Sequence, residues 1–372
     1  MTRLLGFCCL LMLVAILVAG LWPFHVPANR VAWLPGRSGL QVGPDGLLAT
    51  SRKFTPPLPE GPSTLELLLQ PATALGEGTI LAFDDFPNPR YSFAIRQLAG
   101  AVVVQRPAWN AEGTLVRGWW QTARVFQEKQ PVLLTVTSDA QHALLYVNGV
   151  RAASSTEFRM VGRDLTGRLV LGSSTLRDDW QGEIDGLAVY GTALSPSQVE
   201  QNAQHWSANQ APTAGSAALE ALYRFQEGSG HRVADLSGHG RDLFIPARYF
   251  VLRREYLTPF WVPLRSRWDG WVTASYWSDV AVNVLGFIPF GFFYAGWFSR
   301  RWHLARPRLA AFLLGMALSF FIESVQYFLP TRDSSMTDLL TNSLGSAVGA
   351  AAWARVPLPA WIPRFKEPHP VL

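Results

Sequence analysis

The sequence predicts two kinds of structure in one chain: an antiparallel β-sandwich and an α-helical transmembrane bundle of four helices. Three observations carry this. Apolar residues fall in long uncharged blocks at both ends of the chain. Short strand-like runs separated by turn signals fill the stretch between the first two blocks. A spaced set of polar residues recurs inside the later blocks, where a membrane would reject isolated polar groups. The 372 residues leave room for two domains or more. Hydrophobic residues reach 49% and charged ones only 16%, a low charge content for a purely soluble protein.

The first block, residues 4–22, is uncharged from Leu4 to Phe24, and about 20 apolar residues suffice to cross a bilayer core. The small residues Val18-Ala19-Gly20 leave a cleaved signal peptide as the alternative. Both cysteines, Cys8 and Cys9, lie in this block, so the region that follows uses no disulfides.

Residues 30–256 then read as strands: 63–70, 79–85, 90–107 around the turn Leu98-Ala99-Gly100, 131–138, 142–154, 167–173 and 182–191. One helix interrupts them, SPSQVEQNAQHW, with Ser195 as N-cap and Pro196 in the first turn. Trp119 and Trp120 are adjacent, and neighbours on a strand face opposite ways. One is therefore expected in the core. The other either packs against a loop or the membrane helices or is free to stack on a sugar ring. Asp84, Asp85 and Asn88 offer oxygens to a Ca²⁺ ion, or form a polar turn. No other cofactor is indicated.

The later spans are 279–298, 308–329 and 338–354, preceded by a connector at 257–278 and followed by a tail at 357–372. The spans' basic flanks set their direction. Arg3, the loop Arg300, Arg301, Arg306 and Arg308, and Arg355, Arg364 and Lys366 fall on one side, which the positive-inside rule makes cytoplasmic. Both termini are then cytoplasmic and the sandwich lies outside an inner membrane. Arg265 and Arg267, close outside the second span, run against this rule. The net charge of +5 is thus placed by topology and gives no argument for nucleic acid.

Two of these spans begin alike. Asp279-x-x-x-Asn283-x-Leu-Gly286 opens one, and Asp338-x-x-x-Asn342-x-Leu-Gly345 opens the other. Residues four apart share a helix face. The antiparallel span between them carries Glu323 and Gln326 on one face, and Arg332 follows. The expected result is a polar membrane cluster of Asp279, Asn283, Glu323, Gln326, Arg332, Asp338 and Asn342 near the outer face, tight-packed through Gly345-x-x-x-Gly349. Two readings stand. The cluster staples the helices, with the aspartates as N-caps; or it forms an outward-open pocket, one arginine among carboxylates, for an anionic head group or a cation. The second reading makes Glu323, Asp338 and Asn342 matter to function more than to folding. No Ser-His or Cys-His pattern supports nucleophilic catalysis, so enzymatic activity is uncertain, with the balance against it.

Two resemblances follow from these motifs. LYVNGVRAAS, LVLGSS and GEIDGLAVYGTALSPSQVEQ resemble the closing half of a LamG-like, concanavalin-type jelly-roll domain, and ALYRFQEGSGHRVADLSGHGRDL (218–243) resembles its opening. Here the opening follows the ending: either the domain is permuted or a second copy starts and stops. Too few residues remain for a second copy, so a permuted sandwich with 218–256 adding strands to the same sheets is expected. Such domains bind glycans or proteins, some with Ca²⁺. The patterns D-x-x-x-N-x-x-x-F-x-P-x-G (279–291), E-x-x-Q-x-x-x-P-x-R (323–332) and D-x-x-x-N-x-x-G-x-x-x-G (338–349) resemble the VanZ family of bacterial envelope membrane proteins, named for teicoplanin resistance. The resemblances imply an envelope protein that binds the lipid bilayer and presents a module to a glycan, a peptidoglycan precursor or an envelope protein. The alternatives are a membrane enzyme acting on a lipid-linked envelope precursor and a non-catalytic anchor for a binding module.

Overall fold

A computed structural model describes residues 2–84, 92–109, 115–173, 179–250, 256–259 and 274–355. The chain forms two compact units. One joins residues 1–25 to 254–372, and the other is residues 26–253.

The second unit is the sandwich. Its strands are β1 (Val31–Trp33), β2 (Leu40–Val42), β3 (Leu48–Thr50), β4 (Ser63–Pro71), β5 (Glu77–Asp84), β6 (Ser92–Leu98), β7 (Ala101–Trp109), β8 (Leu115–Arg124), β9 (Val132–Ser138), β10 (Ala143–Val147), β11 (Val150–Ser155), β12 (Arg168–Leu171), β13 (Gly182–Tyr190), β14 (Leu219–Tyr223), β15 (Arg232–Val233) and β16 (Leu243–Phe244). One sheet runs β1-β2-β13-β4-β9-β10-β11, with β14 also paired to β13; the other runs β15-β16-β3-β12-β5-β6-β7-β8. Between them lies one core, in which Leu65, Leu67 and Leu69 of β4 meet Leu81, Phe83, Phe93 and Leu169 of the opposite sheet. The late segment expected to complete the sandwich does so in both sheets: Leu222 pairs with Ala188, and Leu243 with Thr50.

Some strands escaped the sequence pattern. β8, which carries both tryptophans, has Gly118 and a polar run in place of alternation. β1 to β3 are three residues each, too short for a period to appear. The strand expected at 142–154 is a hairpin, β10–β11, turned at Asn148 and Gly149, both at positive φ (50° and 81°). This is the Asn-Gly turn whose twist matches paired strands.

The helix α2 (Pro196–Ser207) has the expected cap. Ser195 accepts from the Gln198 N–H, and Gln198 reaches back to the Ser195 N–H at 2.9 Å. Its apolar face, with Val199, Ala203 and Trp206, covers the outer side of the first sheet over Leu133, Tyr146, Ala188, Tyr190 and Leu222. The entry and exit of the unit are adjacent: Asn29 donates to the Leu47 and Pro246 carbonyls, and the Tyr249 N–H donates to Pro27. A domain entered and left at one place is suited to insertion in a loop.

The other unit holds α1 (Thr2–Leu21), α3 (Ala274–Trp297), α4 (Pro307–Gln326) and α5 (Met336–Trp353). Three stretches are long and apolar enough to cross a membrane, Thr2–Leu21, Tyr276–Trp302 and Pro307–Gln326. The fourth helix, α5, is 18 residues long and is not among them. The residues of α4 that are buried, Ala311, Gly315, Ser319, Ile322, Glu323 and Gln326, form one stripe at helical spacing. Helices α3 and α5 approach closely through glycines. A Cβ at Gly345 would overlap the Val284 carbonyl, one at Gly349 the Ile288 carbonyl, and one at Gly291 the Ser346 carbonyl. Gly286, the counterpart of Gly345 in the repeated motif, has no such neighbour. The connector lies largely outside the described residues, as does the tail.

Candidate functional site

In the helical unit the polar residues divide into two groups. The first links helix to helix. Asn283 on α3 donates to Asp338 on α5 at 3.0 Å, so the repeated motif does cross-link the two helices. Asn342 on α5 donates to Ser319 on α4 at 3.0 Å, inside the bundle. Glu323, 1% exposed, accepts the Ser335 N–H at 2.7 Å at the start of α5. The carboxyl group thus supplies an acceptor at the N-terminal end of a helix, where backbone N–H groups lack intrahelical partners.

The second group holds the end of α1. Gln326 donates to the Gly20 carbonyl at 2.8 Å, and Arg332 donates to the carbonyls of Trp22 at 3.0 Å and Ala19 at 3.3 Å. These are carbonyls that a helix C-terminus leaves without intrahelical partners. Arg332 therefore spends these donors on backbone oxygens. The charged neighbours of Asp338 are Asp279 and Asp333, and Glu323 has Asp338.

The aspartates are not N-caps. Helix α3 begins at Ala274, ahead of Asp279, which is exposed. The cap of α5 is Ser335, which accepts from the Thr337 N–H at 3.1 Å, and Asp338 is the third residue of the first turn. Ser319 was missed in the sequence because a lone serine in an apolar helix carries no signal. Only its spacing of four from Glu323 places both on the buried stripe.

In the sandwich, Trp119 and Trp120 face opposite ways as expected. Trp119 is 54% exposed, whereas Trp120 packs on the core against Phe158, with ring centroids 6.0 Å apart. Asp84 ends β5 and is buried; Asp85 and Asn88 lie outside the described residues. Among the described residues no group of three or more His, Cys, Asp and Glu side chains is placed to hold a metal.

The sandwich also carries a polar row that the sequence did not reveal. Register places Glu66, Thr135, Tyr146 and Arg151 side by side across β4, β9, β10 and β11 on the face that α2 covers. Glu66 is fully buried. It accepts from Tyr190 at 3.0 Å, Trp206 at 3.0 Å and Asn202 at 3.1 Å. Burial raises the Glu66 pKa, and the three donors only partly offset it. This network pins α2 to the sheet. A signal existed: a glutamate inside Leu65-Glu66-Leu67-Leu68 is a charge in an otherwise apolar strand.

Comparison with known proteins agrees with both units. Residues 241–357 match the VanZ/LLP1 family, and residues 45–200 match the concanavalin A-like lectin/glucanases superfamily. The chain thus carries a VanZ-like helical segment and a concanavalin-like sandwich. The matched 45–200 leaves out β14 to β16, although these strands pair into both sheets. No curated protein matches the chain. Among solved structures, a putative carbohydrate-binding protein from Bacteroides ovatus is similar at 16% identity and a TM-score of 0.41, over 57% of this chain and 59% of that one. A Ruminococcus gnavus sialidase module bound to sialyllactose follows at 14% and 0.34, over 44% of this chain and 95% of that one. A pentraxin from Limulus polyphemus stands at 13% and 0.36, over 61% and 96%. The chain therefore spans under two thirds of the first of these.

Proposed function

We propose that this protein is a bacterial inner-membrane protein whose sandwich faces the outside and binds an envelope glycan. The observation that supports it most is the union, in one chain, of a VanZ-like segment with helices fit to cross a membrane and a lectin-like sandwich. The arginines of 300–308, together with Arg3 and Arg355, favour cytoplasmic termini. The polar cluster of the bundle acts as a clamp on helix ends, because its bonds run to backbone groups and neighbouring helices. A phenotype in tolerance to teicoplanin-like glycopeptides is the one the VanZ likeness suggests.

The test is topological and biochemical. In a variant lacking Cys8 and Cys9, a membrane-impermeant thiol reagent should label Glu157→Cys in intact cells and spare His303→Cys, and the purified full chain should be retained on immobilised envelope glycans. The opposite labelling pattern overturns the orientation. Failure to bind any glycan overturns the binding role.

A further inference from the structure

We propose that the cleft between α2 and the β10–β11 hairpin is the binding site for an acidic glycan, whose anionic group lies at Tyr146, Arg151 and the start of α2. The proposal rests on the glycan-binding reading above and gives it a location and a ligand class.

Two open cavities, about 470 and about 950 Å³, flank this point and share Tyr146, Arg151 and Pro196. Tyr146 and Arg151 are direct cross-strand partners, at a β-bulge that shifts the register between Leu145 and Tyr146. Such bulges re-aim side chains. Tyr146 is 3% exposed, yet its hydroxyl has no hydrogen-bond partner among the described residues. A buried hydroxyl left unpaired is costly, and native structures leave few of them without a reason.

Arg151 is exposed, and no ion pair or hydrogen bond holds it among the described residues. Its charge acts on the Tyr146 hydroxyl. The N-terminus of α2 adds a partial positive charge. A guanidinium, a neutral phenol O–H and the partial positive charge of a helix N-terminus therefore converge where both cavities meet. The acidic groups of the cleft stand apart in other pairings or on the helix: Asp139 pairs with His142 at 3.0 Å, and Glu200 lines only the larger cavity. Guanidinium and phenol match a carboxylate or phosphate oxygen. Gln204, exposed on the larger cavity, offers an amide for sugar hydroxyls. A peptide added along the open edge strand β11 would use backbone groups and leave the Tyr146 hydroxyl unsatisfied.

The experiment is calorimetric titration of the full chain in detergent with a hyaluronan tetrasaccharide, poly(glycerol phosphate), neutral chitotetraose and a Thr-Val decapeptide. One acidic probe should bind about tenfold or more tighter than chitotetraose, and Arg151→Ala and Tyr146→Phe should each weaken it about tenfold. The acidic probe that binds tells carboxylate from phosphate. Tyr146→Phe should melt no lower than the parent, since the lost hydroxyl bonds nothing in the protein. If chitotetraose binds equally well and both variants leave affinity unchanged, this site is wrong while the glycan role stands. If no sugar probe binds, the site is overturned, and the glycan role falls only if immobilised envelope glycans also fail to retain the chain. If only the decapeptide binds, and Tyr146→Phe does not alter it, β11 is an edge for strand addition and the proposal is wrong.

Discussion

The buried polar groups of the two units are handled in different ways. In the helical unit, Glu323, Gln326 and Arg332 reach backbone N–H and C=O groups at helix ends. In the sandwich, Glu66 is met by three side chains, and the next residues in its row, Thr135 and Tyr146, keep hydroxyls without hydrogen-bond partners among the described residues. A membrane provides no water to complete a helix end, so the chain must supply the partner itself. A sandwich face beside an open cleft has water or a ligand available. Unpaired atoms do not separate the units, since Gln326 Oε1, Thr337 Oγ1 and Asn342 Oδ1 are also buried without a hydrogen-bond partner among the described residues. What differs is that the helical unit spends its polar side chains on backbone groups and the sandwich on other side chains.

The largest effect should come from the helix contact. Gly349→Leu places a side chain against the Ile288 carbonyl, so α3 and α5 cannot approach. The variant is expected to be degraded or to aggregate on size exclusion in detergent; a monodisperse, normally abundant variant would mean that this contact does not hold the bundle.

Glu66→Ala should come next. It strips the acceptor from Trp206, Tyr190 and Asn202 together and is expected to destabilise the sandwich by about 3 kcal/mol or more. Thermal melting followed by near-UV circular dichroism reads it. A loss below about 1 kcal/mol would show that α2 is held by apolar packing alone.

Glu66 also gives a pH signature. Its folded pKa is raised above the unfolded value, so its contribution is fully present below the unfolded pKa, about 4.3. It is lost as pH rises through the folded pKa. The melting difference between the parent and Glu66→Gln should therefore favour the parent more at pH 5 than at pH 8. A difference that does not change with pH breaks this assignment.

Gly149→Ala tests the turn that forms one wall of the cleft. The position has φ of 81°, and a Cβ there would lie 2.9 Å from the Ala203 Cβ on α2. About 1–2 kcal/mol should be lost. The smallest effect is expected for Glu323→Gln, which keeps an acceptor for the Ser335 N–H. A clamp tolerates it with normal membrane levels and normal glycopeptide tolerance. Normal levels with lost tolerance would turn the cluster into a functional pocket and sharpen the contrast the other way.

The sequence by itself determined the two modules, the helix α2 with its cap, the Asn-Gly hairpin, the polar positions of the bundle and the opposite facing of Trp119 and Trp120. Each of these follows from a period of 2 or 3.6, a cap or a turn residue, all of which act within a few neighbours. Tertiary structure alone decided which polar groups meet. That Arg332 serves the end of α1 depends on residues 310 apart in the chain. That Tyr146 lies beside Arg151 and in line with Glu66 depends on strand register and one bulge. A local pattern cannot fix register between distant strands, because pairing is set by how the whole core packs.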